Sequence, residues 1–344
     1  MEGRTERGPA VRRLAGALLA LLLPAAVVLG LAAADLWRQV HRPLALGARP
    51  VVVELPRGSS LQDLAGRLQA LGVLERPRAL VWWGRWRGLA GRLQAGEYLL
   101  RPGTSAAAFL EQVAAGRVRL HRLTLVEGWT FAQALAAVEA HPALRHTLRG
   151  LPPEAVMARL GHPGQHPEGR FLPDTYRFPK GTTDLAFLER AYRAMERFLA
   201  RAWAERAPGL PYRSPYEALI LASIVEKETA LPAERPLVAG VLVRRLQRGM
   251  RLQADPTVIY GLGARFDGDL RRRDLLRDGP YNTYRRKGLP PTPIALPGRA
   301  AILAALHPAP GEALYYVARG DGSHVFSATL AEHRAAVRRY QLRT

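Results

Sequence analysis

The sequence predicts an α+β protein: one N-terminal apolar helix, a small α/β module and a larger mixed domain. Three observations carry this reading. Leu14 to Ala34 is a run of 21 residues without a charge. A unit of short apolar strand, glycine turn, hydroxyl cap and amphipathic helix recurs through the first 140 residues or so. The second half holds a helix that is apolar on every face, ends in two glutamates and is followed by polar, turn-rich segments. At 344 residues and roughly 150 residues per domain, there is room for about two domains and a real core.

The apolar run comes first in the chain. At about 1.5 Å per residue it is roughly 31 Å long, the thickness of a hydrocarbon core of about 30 Å. Pro24 sits in its middle, which membrane helices tolerate, and Trp37 follows at interfacial depth. Ala32-Ala33-Ala34 before Asp35 resembles a signal-peptidase site, but the run is longer than the ~7–15 apolar residues of a signal sequence. An uncleaved anchor is therefore expected. Arg4, Arg7, Arg12 and Arg13 precede it and Arg38, Arg42 and Arg49 follow, a small positive-inside bias for a cytoplasmic N-terminus. Residues 1–13 then form the cytoplasmic end, 14–34 the transmembrane helix and 35–49 a linker.

The repeated unit occupies the next stretch, with a module expected over 50–125 and the mixed domain over 126–344. The first copy runs from Val51–Leu55 through Gly58 and Ser59 to a helix near Leu61–Leu71. Ser59 and Gln62 match a capping box, and Gly72 suits a left-handed helix end. The second copy is Tyr98–Leu100, Gly103, Thr104 and a helix bearing Phe109, Leu110 and Val113. The third is Leu123–Val126, Gly128 and a Thr130/Gln133 capping box. Units this short must pack on each other. The arrangement resembles LysM-like modules, and the resemblance implies binding of N-acetylglucosamine-containing glycans; the periodicity alone equally suits a spacer. Trp82, Trp83 and Trp86 lie between the first two copies and read as core residues rather than sugar platforms.

Ser214-Pro215-Tyr216-Glu217 is a helix start, with serine as N-cap and proline at N1. Ala218 to Val225 carries no charge, so this helix is buried. It ends at Glu226-Lys227-Glu228-Thr229. Residues 226 and 228 are about 200° apart on a helix and cannot share a face. A carboxyl at a helix C-terminus meets the negative end of the dipole, and burial adds desolvation; both raise its pKa, as a general acid requires. A solvated helix terminus would show the same spacing. A second helix is expected from Ala233 to Arg248, stopped by Gly249. Arg319–Gly322 reads as a turn between strands Leu314–Ala318 and His324–Phe326.

Here the motifs become specific. Ala222–Thr229 (ASIVEKET), Gly249–Gly261 (GMRLQADPTVIYG), Tyr281–Tyr284 (YNTY) and Gly288–Pro291 (GLPP) resemble the YceG/MltG-like family of endolytic murein transglycosylases. Phe171–Tyr176, Ala304–Pro308 and Gly322–Phe326 add to the match, which is loosest over 144–170. The resemblance implies a single-pass inner-membrane protein with a periplasmic body. Its activity would be internal cleavage of nascent peptidoglycan between N-acetylmuramic acid (MurNAc) and N-acetylglucosamine (GlcNAc), leaving 1,6-anhydro-MurNAc ends. The family's catalytic glutamate falls on Glu228. Glu226, Gln253, Asp255, Tyr281 and Asn282 become candidates for substrate contact or for orienting it. The implied partners are glycan strands and the cytoplasmic membrane, with peptidoglycan synthases as further candidates. No cofactor is expected, because one carboxyl can serve first as acid and then as base.

Composition narrows the alternatives. The chain has no cysteine, which excludes disulfides, thiolate metal sites and a cysteine nucleophile. Its net charge of +21 favours anionic partners, but the basic residues are almost all arginine and scattered, so no nucleic-acid partner is expected. His162 and His166 have a ligand-like spacing that Pro163 and Pro167 break, and no metal is expected. Two rivals share the substrate: a muramidase that adds water, and a non-catalytic glycan-binding scaffold.

Overall fold

The computed structural model describes residues 9–342, with side chains at residue 20 and from residue 22 onward. Its contacts divide the chain into two units that meet between Leu120 and His121.

The first unit begins with α1 (Pro9–His41), which carries Pro24 in its interior. Within it, Leu22–His41 is long and apolar enough to cross a membrane. Leu22, Leu23, Val27, Val28, Leu29 and Leu31 all stand exposed. Residues 14–19 and 21 of the expected span lie outside the described side chains. The helix continues seven residues beyond Ala34. Val40 and Leu44 are buried in this unit's core, and Pro43 bridges Ser105. Much of the expected 35–49 linker is thus helical or packed, because its apolar side chains find a core to enter.

β1 (Val51–Leu55) leads to α2 (Leu61–Ala70), α3 (Pro77–Trp86), β2 (Gly96–Leu100) and α4 (Ala106–Ala114). β1 and β2 pair antiparallel, with Val53 opposite Tyr98. Val53, Leu55, Tyr98 and Leu100 enter one core with Leu61, Leu64, Leu68, Leu80, Phe109 and Leu110. The caps fall one residue later than the sequence reading. Ser60, not Ser59, caps α2 in a reciprocal box with Asp63, and Ser105, not Thr104, caps α4. Of the three tryptophans read as core, only Trp83 is buried; Trp82 and Trp86 are 69% and 74% exposed.

The second unit opens with β3 (Leu120–Thr124), α5 (Phe131–Ala140), β4 (Leu144–Arg145), α6 (Pro153–Arg159), β5 (Thr175–Pro179) and β6 (Thr182–Thr183). β3 pairs with β5, and β4 with β6. The third copy of the repeat therefore departs from expectation. Its Thr130/Gln133 capping box forms, but its strand and helix pack with Phe171, Phe178, Phe187 and Tyr192 of this unit. Repeated local pattern did not mean shared core, since Leu125, Phe131 and Val138 bury against these aromatics.

α7 (Asp184–Ala204), α8 (Pro215–Glu228), α9 (Arg235–Gln247), α10 (Asp255–Leu262), α11 (Arg272–Leu276), α12 (Arg299–Leu306), β7 (Tyr315–Ala318), β8 (His324–Ser327) and α13 (Leu330–Tyr340) complete the chain. α8 is the spine. Eight consecutive residues, Ala218 to Val225, are buried, as a helix with no polar face requires. α7, α9, α10 and α12 surround it. β7 and β8 form an antiparallel hairpin, with Tyr316 opposite Phe326. Both units mix helices with short strands, which is the α+β class expected.

Candidate active site

Glu228 is the last residue of α8. The helix arrives there because Ser214 accepts from the Glu217 N–H and starts it in register. Ser223, mid-helix, donates to the Ile220 carbonyl at 2.7 Å and accepts from the Ile294 N–H at 3.0 Å, which ties the Thr292–Leu296 strap across α8. Glu228 lines a cleft of about 400 Å³ with Arg245, Gln253, Asp255, Tyr284, Tyr316, His324 and His333.

Each wall has a local cause. Arg245 on α9 is buried and donates to two backbone carbonyls and one side chain: Nε to the Leu314 carbonyl at 2.6 Å, and Nη1 to the Leu252 carbonyl at 2.8 Å and to Gln253 Oε1 at 3.2 Å. It thereby joins the hairpin to the turn before α10. Gln253 in that turn has φ +54°, among the described residues the one non-glycine with a positive φ. A left-handed glutamine is uncommon and persists only where the surroundings hold it; here Arg245 grips its side chain and the Thr283 carbonyl its N–H at 3.2 Å. Thr283 also holds Ala254 N–H at 3.0 Å and Thr257 Oγ1 at 2.9 Å. Tyr284, next in the chain, donates to Asp255 Oδ1 at 2.5 Å. On the hairpin, His324 Nδ1 meets Glu234 Oε2 at 2.6 Å while the same carboxylate accepts its N–H at 2.8 Å. Burial opposes the Glu234 charge, but these bonds outweigh it and hold its pKa below the usual range.

The electrostatics single out Glu228. Burial pushes its pKa up to about 7; a hydrogen bond with Tyr316 and the charge of Arg245 work against that rise, and Asp255 adds to it. Its Oε1 is buried with no hydrogen-bond partner. Glu168 is also raised by burial to about 7, yet it is only 3% exposed. Its two oxygens are taken by the Phe131 N–H at 2.9 Å and the Tyr260 hydroxyl at 3.0 Å. Glu168 therefore caps α5, whereas Glu228 keeps an unused acceptor at a cleft.

The candidates divide. Gln253 and Asp255 join Glu228 in the cleft; Glu226, Tyr281 and Asn282 do not. Glu226 turns to the other side of α8, accepts from the Gly298 N–H at 2.9 Å and pairs with Arg235 at 3.2 Å, as the 200° separation requires. Tyr281 bonds Thr292 at 2.8 Å and packs edge-on to Tyr260. Asn282 donates to the carbonyls of Asp274, Leu275 and Arg277, closing α11. Both shape the turn that presents Thr283 and Tyr284. Arg245, Tyr284, Tyr316, His324 and His333 were not among the candidates. Tyr284 and His324 lie within quoted motifs; the others are separated in sequence and meet only through packing. His162 stacks on Tyr192, away from this cleft.

Comparison with known proteins follows the same lines. The family model described as the YceG-like family matches residues 53–339. A protein of Bacillus subtilis (strain 168) named endolytic murein transglycosylase is 30% identical over 312 residues, 84% of each chain. A Streptococcus pneumoniae (strain D39) protein of the same name is 26% identical over 82% of this chain, which spans 56% of that relative's length. A 2.6 Å crystal structure of a YceG-like protein from Listeria monocytogenes matches with a TM-score of 0.54 and 28% identity, over 84% of this chain and 99% of that one.

Proposed function

The chain belongs to the YceG-like family, and from that premise we propose that it is a membrane-anchored lytic transglycosylase. It cuts peptidoglycan strands internally between MurNAc and GlcNAc, with Glu228 as its acid and base. The observation that carries this is the Glu228 carboxyl itself: half-buried at the end of α8, its pKa pushed up to about 7, with Oε1 buried and unpartnered beside the cleft.

The chemistry needs one carboxyl that is neutral at the start and charged midway. Neutral Glu228 gives its proton to the glycosidic oxygen as the bond from MurNAc C1 breaks. The carboxylate left behind is stabilised by Tyr316 and Arg245, the two groups that favour its charged form. It then takes the proton of the substrate's own C6 hydroxyl as O6 closes on C1. The acid returns to its starting state, and the product carries a 1,6-anhydro end. Glu234 sets the orientation of His324, whose ring stands edge-on to Tyr316 at 5.5 Å.

Asp255 in the same cleft gives the hydrolytic reading its one foothold, since ordinary glycosidases use two carboxyl groups. Its Oδ1, however, is occupied by Tyr284, which makes it an anchor for that phenol. Full-length protein in detergent, wild type and Glu228→Gln, is incubated with un-crosslinked peptidoglycan and the products are weighed. Anhydro-ended fragments from wild type and none from folded Glu228→Gln are expected. Products heavier by one water would identify a muramidase. No cleavage by folded wild type would favour the scaffold.

A further inference from the structure

We propose that α3 is an interfacial helix: its outward face of Trp82, Trp86, Arg78 and Arg85 lies on the headgroup layer of an anionic bilayer, beside the point where α1 leaves it. The inference rests on the reading of α1 as a membrane span.

Packing does not account for this face. α3 gives Leu80, Trp83 and Gly84 to the core of its unit. Residues 78, 82, 85 and 86 fall within about 100° on the opposite side of the helix. All four are exposed, with Trp82 at 69% and Trp86 at 74%. A stripe of two tryptophans flanked by arginines on a ten-residue helix has the composition of a segment that lies in a membrane interface, where the indole is half in and half out of water.

The height of this face relative to a membrane is set by α1, which belongs to the same unit. The exposed apolar run of α1 ends at Ala34, with Leu31 its last large side chain. Its last turns then pack along α3. Trp82 shares a cleft with Ala32, Asp35, Leu36 and Gln39, and Asp35 pairs with Arg76 at 3.6 Å. A train of rings continues the contact: Trp37 on His41 at 4.5 Å, His41 on Trp83 at 4.9 Å, Trp83 on Trp86 at 5.1 Å. Trp82 therefore sits level with the residues that immediately follow the apolar run, within about one helical turn of the hydrocarbon edge. Trp37, itself 54% exposed, stands at the same level. Exposed Arg38 and Arg42 at the end of α1 extend the positive surface, and acidic headgroups complement it at about 1 kcal/mol per basic side chain near the surface.

The test uses full-length protein in vesicles of phosphatidylglycerol and phosphatidylcholine, with a fraction of the lipid brominated near the top of the acyl chain. Bromine quenches only those tryptophans that reach it. If Trp37, Trp82 and Trp86 are the quenched set, Trp82→Gln/Trp86→Gln removes about two-thirds of the quenchable emission and Trp37→Gln about one-third. The Trp82 and Trp86 share is also expected to fall when phosphatidylglycerol is omitted. Both substitutions are on exposed side chains, and unchanged circular dichroism confirms the fold. Quenching that survives Trp82→Gln/Trp86→Gln in full but falls with Trp37→Gln would leave the anchor standing and overturn the docked face. Loss of all quenching in wild type would remove the anchor and the proposal together. Emission from Trp82 and Trp86 that ignores lipid but shifts with soluble glycan strands would overturn it in favour of a sugar platform.

Discussion

Glu228 and Glu168 are both carried to about 7 by burial, and what separates them is hydrogen bonding. Glu168 has a donor on each oxygen; Glu228 leaves Oε1 without one. The proposed mechanism consumes the protonated form of Glu228, so it predicts a rate on glycan strands that falls about tenfold per pH unit above about pH 7. A rate that climbs through that range would contradict the assignment. Stability gives an independent reading. The native pKa lies above the ordinary 4.5, so the native state holds the extra proton and stability drops as pH rises from about 4.5 to about 7. Glu228→Gln abolishes that loss. At about pH 8 it is expected to be more stable than wild type by about 1–3 kcal/mol, with little difference near pH 4; denaturant titrations at the two pH values measure both. Glu226 behaves differently. Glu226→Ala leaves Arg235 with only its 3.9 Å pair to Glu127 and strands the Gly298 N–H, at a cost of about 2–4 kcal/mol, while the folded fraction still forms anhydro product. If folded Glu226→Ala makes none, the catalytic acid has been misplaced.

At the scale of elements, the cleft depends on how closely α9 approaches the segment before β7. Gly240 in α9 leaves room for the Ala309 carbonyl; a Cβ there would come within 2.5 Å of that oxygen, which also accepts from Arg244 at 3.0 Å. Alanine normally favours a helix by about 1 kcal/mol over glycine. Gly240→Ala is nevertheless expected to destabilise by about 1–3 kcal/mol, because backbone rather than a flexible side chain must move. A gain in melting temperature would refute the close approach. Gln253 is the opposite case. Gln253→Gly relieves the left-handed backbone and removes the Arg245 contact. Its expected signature is a gain of up to about 1 kcal/mol in stability together with a fall in rate. The starts of α5 and α8 were legible in sequence, since a hydroxyl followed three residues later by Gln, Asp or Glu is a local signal, and Thr130/Gln133 and Ser214/Glu217 carry it. The shift from Ser59 to Ser60 occurred because Gln62 and Asp63 offer competing partners, and Asp63 is the one that bonds back to the cap.

For the whole molecule, the feature that bears on a membrane is the apolar exposed stretch of α1, which is long enough to cross one. The arginines before and after the apolar run Leu14–Ala34 favour a cytoplasmic N-terminus. An alkaline phosphatase fused after residue 344 is then expected to be active and a cytoplasmic reporter inactive; the reverse pattern would place the cleft on the wrong side for peptidoglycan. The positive charge of +21 is spread over the chain and did not by itself identify a partner.

The sequence by itself determined the family, the buried helix, its terminal acids and the α+β class, because long motifs, charge-free runs and caps are properties of neighbouring residues. It also separated Glu226 from Glu228, since helical periodicity sends them to different sides. Only the tertiary structure decided which unit the third repeat joined, which tryptophans were core, and that Tyr281 and Asn282 shape a turn instead of facing the cleft. Only it brought Arg245, Tyr316, His324 and His333 to Glu228. Those outcomes turn on which apolar faces bury against each other across scores of residues, and burial is what raises the Glu228 carboxyl.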